Sequence, residues 1–239
     1  MTKQPNLSVV IPIHNEVDSL GRVVSEWDVS LREIPGLNHV FILCEDGSSD
    51  GTKELIIELE RRYAIINNSV SRRRGYGQAV REGIELAKTD YVLCIDGDGQ
   101  IGPGKMNEIW PCRSAEHFVI GWRYPRLDRP VRLIFSRLFK WYHALLFPNQ
   151  LHDPSCPFVF GHAKLFDRVM PFLVYTKEGF WWGFVGACWK AKIPIDEVQI
   201  RHRKRFAGDT QVYKLAKMPG IIFRNSIGLV KLRLAESET

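Results

Sequence analysis

Apolar residues follow two rhythms through the first hundred positions of this chain. Short continuous runs, LSVVIPI at 7–13, HVFILCE at 39–45, AIINNSV at 64–70 and DYVLCID at 90–96, alternate with longer stretches of helical spacing. The runs read as buried strands, the third being the weakest of them. The stretches around 16–33, from 52 onward and over 75–89 read as helices. In the second of these Leu55, Ile56 and Leu59 share a face, and Asp50 or Thr52 supplies a cap. Strands that are apolar throughout, alternating with helices, predict an α/β fold with a mostly parallel, Rossmann-like sheet covered on both faces. Ligands of such sheets sit beyond the carboxyl ends of the strands. Residues 12–16, 45–47, Asp96 and Asp98 are thereby predicted to share one mouth.

The second half is less regular. VRLIFSRLFKWYHALLF at 131–147 places Ile134, Leu138, Trp141 and Leu145 at helical spacing, with Arg132, Arg137 and Lys140 interleaved. DPSCPFVF follows at 153–160, then an aromatic cluster, EGFWWGFVG, at 178–186, a strand-like IPIDEVQIRHR, and a basic tail. A chain of 239 residues can bury one sizeable core. With no repeat, low-complexity tract or linker in view, one domain over 1–239 is expected.

Composition narrows the classes. The formal charge of +6 is modest, but the basic residues concentrate in 72–74, 123–140 and 201–217. That distribution suits phosphates or an anionic membrane surface. It would also suit nucleic acid, but no nucleic-acid motif accompanies it. The five cysteines form no CxxC pair and suggest no zinc site. Cys44 and Cys94 lie inside apolar runs, as small buried hydrophobes of a reducing compartment do. The first residues lack the apolar core of a signal peptide, and no run reaches the roughly 18–20 apolar residues that span a bilayer.

The fourth run ends in DGDGQ, with Asp96 and Asp98 side by side. Like charges this close disfavour each other's ionisation, and a divalent cation is the usual remedy. On an extended tip, Asp96, Asp98 and Gln100 alternate and project to one side, where their oxygens suit a hard cation. Taken alone, the same residues also suit a tight turn. In SRRRGYGQAVREG, Gly75 and Gly77 allow close backbone approach, the helix N-terminus favours an anion, and Arg74 adds charge.

Four motifs in order, VVIPIHNE, EDGSSDGT, GYGQAVREG and DGDGQ, resemble the family 2 inverting glycosyltransferases, which have the GT-A fold. Within them the chain is similar to the polyprenyl-phosphate branch typified by dolichyl-phosphate mannose synthase. The resemblance is dense over 7–105 and legible to about 215. It implies a nucleotide-sugar-binding half at 7–105, an acceptor-binding half at 106–215 and a basic amphipathic tail at 216–239. It implies nucleotide-sugar contacts at Pro12, Asn15, Glu16, Glu45, Asp46, Arg74, Gly77 and Asp96, with Glu45 standing where the family carries aspartate. Mg²⁺ or Mn²⁺ is expected on Asp96, Asp98 and Gln100, and Asp98 and Arg205 are the expected catalytic residues. Arg123, Arg132, Ser136 and Asp153 are expected around an acceptor phosphate, with Arg205 from the RxxGxS-like RFAGDT stretch, where Thr210 replaces serine. Arg201, His202 and Arg203 thicken that basic region.

A phosphate acceptor is already an anion and needs no general base, whereas a sugar hydroxyl does. The 178–186 region offers only Glu178 before its aromatics, which favours a lipid phosphate. The resemblance therefore implies a hexose moved from GDP-mannose or UDP-glucose to a polyprenyl or dolichyl phosphate. Transfer to a glycan hydroxyl, with Glu178 or Asp153 as base, is the alternative; a nucleotide-sugar-binding protein without catalysis is a third. The 131–147 and 219–234 stretches would rest on the membrane, either directly or beside a membrane-protein partner, or else pack in the core. A peripheral location on the cytoplasmic face follows from that reading.

Overall fold

The computed structural model describes residues 6–127, 130–176, 179–207 and 218–235, and of 130–132 and 218–219 only the backbone. The elements run β1 (Leu7–Ile13), α1 (Val17–Arg32), β2 (His39–Glu45), α2 (Thr52–Glu60), β3 (Ile65–Asn67), α3 (Tyr76–Leu86), β4 (Tyr91–Cys94) and α4 (Met106–Ile109). They continue with β5 (Phe118–Arg123), α5 (Pro130–Leu146), β6 (Val159–His162), α6 (Ala163–Val169), α7 (Phe180–Lys190), β7 (Ile195–Ile200) and α8 (Met218–Leu234). Seven strands form one sheet in the order β3-β2-β1-β4-β6-β5-β7. Only β6 runs against the others, pairing antiparallel with β4 and β5.

All seven residues of β1 are buried, because β1 lies between β2 and β4 and is covered on both faces. A fully buried Val, Leu or Ile contributes roughly 1.5–3 kcal/mol, so this strand anchors the sheet. Helix α3 packs so closely on it that a Cβ at Gly83 would lie 2.4 Å from a Val10 methyl and 2.7 Å from the Cys44 sulfur. Cys44 and Cys94 are buried and unpaired, as their apolar settings predict.

The sheet differs from the sequence reading in three places. The third run contributes only Ile65–Asn67, an edge strand with two exposed residues, and the fourth ends at Cys94. Strands β5 and β6 had no counterpart in the pattern. The aromatic cluster is the helix α7, in which Phe180, Trp181, Phe184, Val185, Ala187 and Cys188 are buried. Phe118 of β5 meets Phe166 and Phe184 edge to face at 4.8 and 4.9 Å between ring centres, which builds the second half of the core.

Candidate active site

The carboxyl ends of β1, β2 and β4 open side by side, and the loops that follow them are laced together. The Asn15 N–H donates to the Ser48 hydroxyl at 2.9 Å, and the Asn15 side-chain oxygen accepts from the Ser49 N–H at 3.0 Å. Thr52 Oγ1 accepts from the Glu16 N–H at 3.0 Å. Asp50 accepts from the N–H groups of Val17 at 3.2 Å and Thr52 at 3.1 Å, so it joins α1 to α2, but the N-cap of α2 is Gly51 and neither Asp50 nor Thr52 fills that position. Asn15 adopts a left-handed φ of 56°, the conformation asparagine tolerates best after glycine.

The two acids after β2 serve this scaffold. Glu45 is fully buried and turned into its own loop, where it accepts from the Ser48 N–H and stands 3.7 Å from the Lys53 ammonium. Asp46 accepts from the N–H groups of Arg74 and Gly75 and so holds the backbone that enters α3. The anion at this helix entrance is therefore the chain's own. The Arg74 guanidinium pairs with Glu82, and Gly77 is buried in the first turn of α3. Pro12 lies within β1, paired in register with Cys44.

The DGDGQ segment is a turn and not the extended tip expected above. Gly99 takes φ 75°, and Asp98 Oδ1 accepts from the Gln100 N–H at 3.0 Å. The turn brings Asp96, Asp98 and Glu16 into one electrostatic neighbourhood. Arg205 bridges two of them: its Nη1 donates to Asp98 Oδ2 at 3.3 Å and its Nη2 to Glu16 Oε1. The third, Asp96, accepts from the Tyr76 hydroxyl at 2.7 Å. Burial, followed by the charge of Asp98, pushes the Asp96 carboxyl up to about 7. Burial also raises Glu16, with Asp98 adding to it, against the pull of Ser19 and Arg205.

Two of the carboxylates thus share the Arg205 guanidinium, while the third is partnered by the Tyr76 hydroxyl and feels Arg123 at longer range. The mutual repulsion of the three acids is what a divalent cation would relieve. Their oxygens are hard donors, so Mg²⁺ or Mn²⁺ fits the chemistry. Among the described residues no three His, Cys, Asp or Glu side chains form a ready cage. Asp96 and Asp98 would hold a cation together with oxygens of a bound diphosphate.

A strap crosses this turn. The Arg203 N–H donates to the Gln100 carbonyl at 2.9 Å and the Phe206 N–H to the Asp98 carbonyl at 3.1 Å, with an antiparallel bridge between Ile101 and His202. Phe206 lies against Gly99, where a Cβ would come within 2.3 Å of its ring, and the Arg22 guanidinium stacks on that ring at 4.0 Å. Arg203 pairs with Glu26, and His202 is buried with its Nδ1 accepting from the Leu127 N–H at 3.0 Å. Both help to hold the strap in place. Arg205, expected beside the acceptor, meets the donor-side carboxylates.

Among the residues expected around an acceptor phosphate, Arg123 and Asp153 form a buried two-pronged pair at 2.7 and 3.0 Å, and Arg123 also donates to Ser155 at 3.0 Å. Burial would raise the Asp153 carboxyl, but Arg123, Arg126 and Ser155 bring it down to about 2. Arg126 donates to the Ser136 hydroxyl at 3.0 Å and lies 3.7 Å from Asp153, linking three of the expected residues. The sequence reading passed over Arg126, whose only signal was its place in the basic 123–140 segment. Arg132's side chain, Glu178 and the Gly208-to-Gln211 part of the RxxGxS-like stretch lie outside the described residues.

The family model "Glycosyl transferase family 2" matches residues 8–170. This chain belongs to glycosyl transferase family 2. The match takes in every donor-side carboxylate and stops short of the strap. Among curated proteins, the undecaprenyl-phosphate 4-deoxy-4-formamido-L-arabinose transferase of Edwardsiella ictaluri is 32% identical over 153 residues, 63% of this chain and 47% of that protein. The dodecaprenyl-phosphate galacturonate synthase of Rhizobium johnstonii is 28% identical over 173 residues, 68% of this chain and 49% of that protein. The matched part of the chain spans about half the length of these relatives. Among solved structures, the glucosyl-3-phosphoglycerate synthase of Mycobacterium tuberculosis bound to Mn²⁺, UDP and product superposes with a TM-score of 0.66 at 18% identity, over 96% of this chain and 80% of that one. That likeness establishes the GT-A fold of this family 2 member.

Proposed function

We propose that this family 2 protein is an inverting glycosyltransferase that moves a hexose from a nucleotide sugar, GDP-mannose or UDP-glucose, to a polyprenyl phosphate. The observation that carries the reading is the cluster of Glu16, Asp96 and Asp98 at the strand ends, where Arg205 bridges two of the three. A bound cation would supply Lewis-acid stabilisation of charge on the departing diphosphate. A phosphate oxygen of the acceptor bonds to the anomeric carbon as the bond to the diphosphate breaks, and the sugar inverts. Asp96 and Asp98, with Gln100 beside them, hold the donor's diphosphate end. Arg205 offers a planar fork to developing negative charge between donor and acceptor. Arg123 and Arg126, set by Asp153, give the acceptor side its positive field.

Polyprenyl phosphate as acceptor is supported by the names of the curated relatives, whose own sugars differ from one another. It is also supported by the state of Asp153. A carboxyl held down to about 2 by a buried arginine is a poor proton acceptor, which disfavours it as a base for a glycan hydroxyl. The third reading, a protein that binds a nucleotide sugar without catalysis, would rest on Glu45 and the aromatic stretch at 180–184, and both pack structurally in this fold.

Two apolar stripes support docking on an anionic membrane surface. On α5, Ile134, Leu138, Trp141 and Leu145 are exposed, while His143 on the opposite side is fully buried. On α8, Phe223, Ile227, Val230 and Leu234 are exposed at the same spacing, opposite buried Asn225 and Leu232. The helices touch, the Tyr142 hydroxyl donating to the Ser226 carbonyl at 3.4 Å. Arg137, Arg224 and Lys231 flank the stripes, as interfacial helices arrange apolar and basic residues. No helix among the described residues is long and apolar enough to cross a membrane.

The reading is tested by thermal stabilisation with UDP, GDP and their sugars, with and without Mn²⁺. A rise in Tm confined to one nucleotide and enlarged by Mn²⁺ is expected. No rise with any of them would remove the donor-site assignment.

A further inference from the structure

Asp96 is held by a chain of two hydrogen bonds that crosses the molecule. Its Oδ1 accepts from the Tyr76 hydroxyl at 2.7 Å, across 20 residues of sequence. The Tyr76 oxygen in turn accepts from the Trp181 indole N–H at 2.7 Å, across 105 residues. The three residues come from the end of β4, the start of α3 and the start of α7. Trp181 is only 6% exposed.

The direction of this chain is forced by chemistry. An indole N–H can only donate, so the phenol oxygen must accept from it. A phenol has a single proton, and with that lone-pair side taken, the proton points to Asp96. Trp181 therefore sets the orientation of the Tyr76 hydroxyl, and Tyr76 sets that of the Asp96 carboxylate. One carboxylate oxygen, Oδ1, is thereby engaged by the phenol.

We infer that Tyr76 and Trp181 are positioning residues for the donor site. They fix the Asp96 carboxylate through Oδ1, so that its orientation is set before a divalent cation would bind. The inference rests on the proposed donor role of Asp96 and deepens it. It also gives the aromatic stretch at 180–184 a task in the reaction, because its second residue controls a carboxylate on the far side of the mouth. Partners that orient a metal-binding carboxylate typically govern affinity by 10–100-fold, although they never touch the ion.

The experiment is titration calorimetry of Mn²⁺ into protein saturated with UDP or GDP, whichever stabilises the wild type, on Tyr76→Phe, Trp181→Phe and the double variant. Tyr76→Phe is expected to weaken Mn²⁺ binding about tenfold. Trp181→Phe keeps the Tyr76–Asp96 bond and is expected to weaken it less. The double variant should match Tyr76→Phe, because Trp181 acts through Tyr76. With ¹⁵N-labelled indoles, the Trp181 N–H resonance should shift when Mg²⁺ and nucleotide are added to the wild type and stay still in Tyr76→Phe. A merely structural pair would lower Tm in each variant with Mn²⁺ affinity within about twofold of wild type, and that result overturns the inference. If Tyr76→Phe does not fold, the Mn²⁺ affinity of Trp181→Phe and the response of the wild-type Trp181 resonance to Mg²⁺ and nucleotide carry the same decision. Asp98→Ala separates the two levels: wild-type Mn²⁺ affinity there would fail the donor-site reading itself, whereas loss there with no change in Tyr76→Phe fails only the inference.

Discussion

Replacing Asp153 with Asn removes one charge from the pair that ties β5 to the turn before β6. Arg123 reaches both carboxylate oxygens, at 2.7 and 3.0 Å, and both side chains are less than a tenth exposed. Asparagine keeps the shape but removes the carboxylate charge that both prongs of the Arg123 guanidinium meet, and breaking a buried pair of this kind costs about 3–5 kcal/mol. Titration gives a second measure. Burial works to raise the Asp153 carboxyl, but Arg123, Arg126 and Ser155 lower it from 3.8 to about 2. At roughly 1.4 kcal/mol per pH unit this is worth about 2 kcal/mol. The folded value lies below the unfolded one, so the stabilisation is complete above about pH 4 and is lost as pH falls towards 2. Urea unfolding of wild type and Asp153→Asn at neutral pH and near pH 2 reads both quantities. The gap should be about 3–5 kcal/mol at neutral pH and narrow by about 2 kcal/mol in acid. A variant within about 0.5 kcal/mol of wild type at neutral pH, the range of an ordinary surface change, would refute the reasoning, as would a gap that widens in acid.

Gly99→Ala puts a Cβ 2.3 Å from the Phe206 ring at a left-handed position. It should cost about 1–2 kcal/mol in backbone strain alone and release the strap, read as faster proteolysis at 202–207. Arg205→Met removes the cation between Asp98 and Glu16, so turnover should fall about 100-fold, and Arg205→Lys should restore only part of it because an ammonium cannot fork to both carboxylates. Trp141→Glu with Leu138→Glu places charge in the middle of the α5 stripe and should abolish co-sedimentation with anionic phospholipid vesicles while leaving nucleotide binding intact.

The amino-terminal half of the fold was legible because its strands are buried on both faces and so appear as unbroken apolar runs. Helix α7 was not, because a helix buried nearly all round has no polar face to reveal its period. Strand β6 contributes four residues and pairs antiparallel with partners distant in sequence, a pattern no local rhythm announces. Asp96 and Asp98 were legible as a pair by residue type, but the geometry assumed for them was not, since Gly99 makes a turn where alternation suggested an extended tip. The residues that orient the site were hidden for one reason. Trp181 reaches Tyr76 across 105 residues and Arg203 reaches Glu26 across 177, and each is an ordinary residue until the fold brings its partner. Glu45 departs from the aspartate its position suggests, and in the fold it accepts from the Ser48 N–H of its own loop.

The most direct test of the account is a transfer assay with purified protein, Mn²⁺, a nucleotide sugar and a short polyprenyl phosphate, run beside Asp98→Ala. The account predicts polyprenyl-phosphate sugar and nucleoside diphosphate in equal amounts from the wild type, and neither from the variant. Nucleoside diphosphate released without lipid product, sugar delivered in preference to a glycan hydroxyl, or wild-type transfer by Asp98→Ala would contradict it.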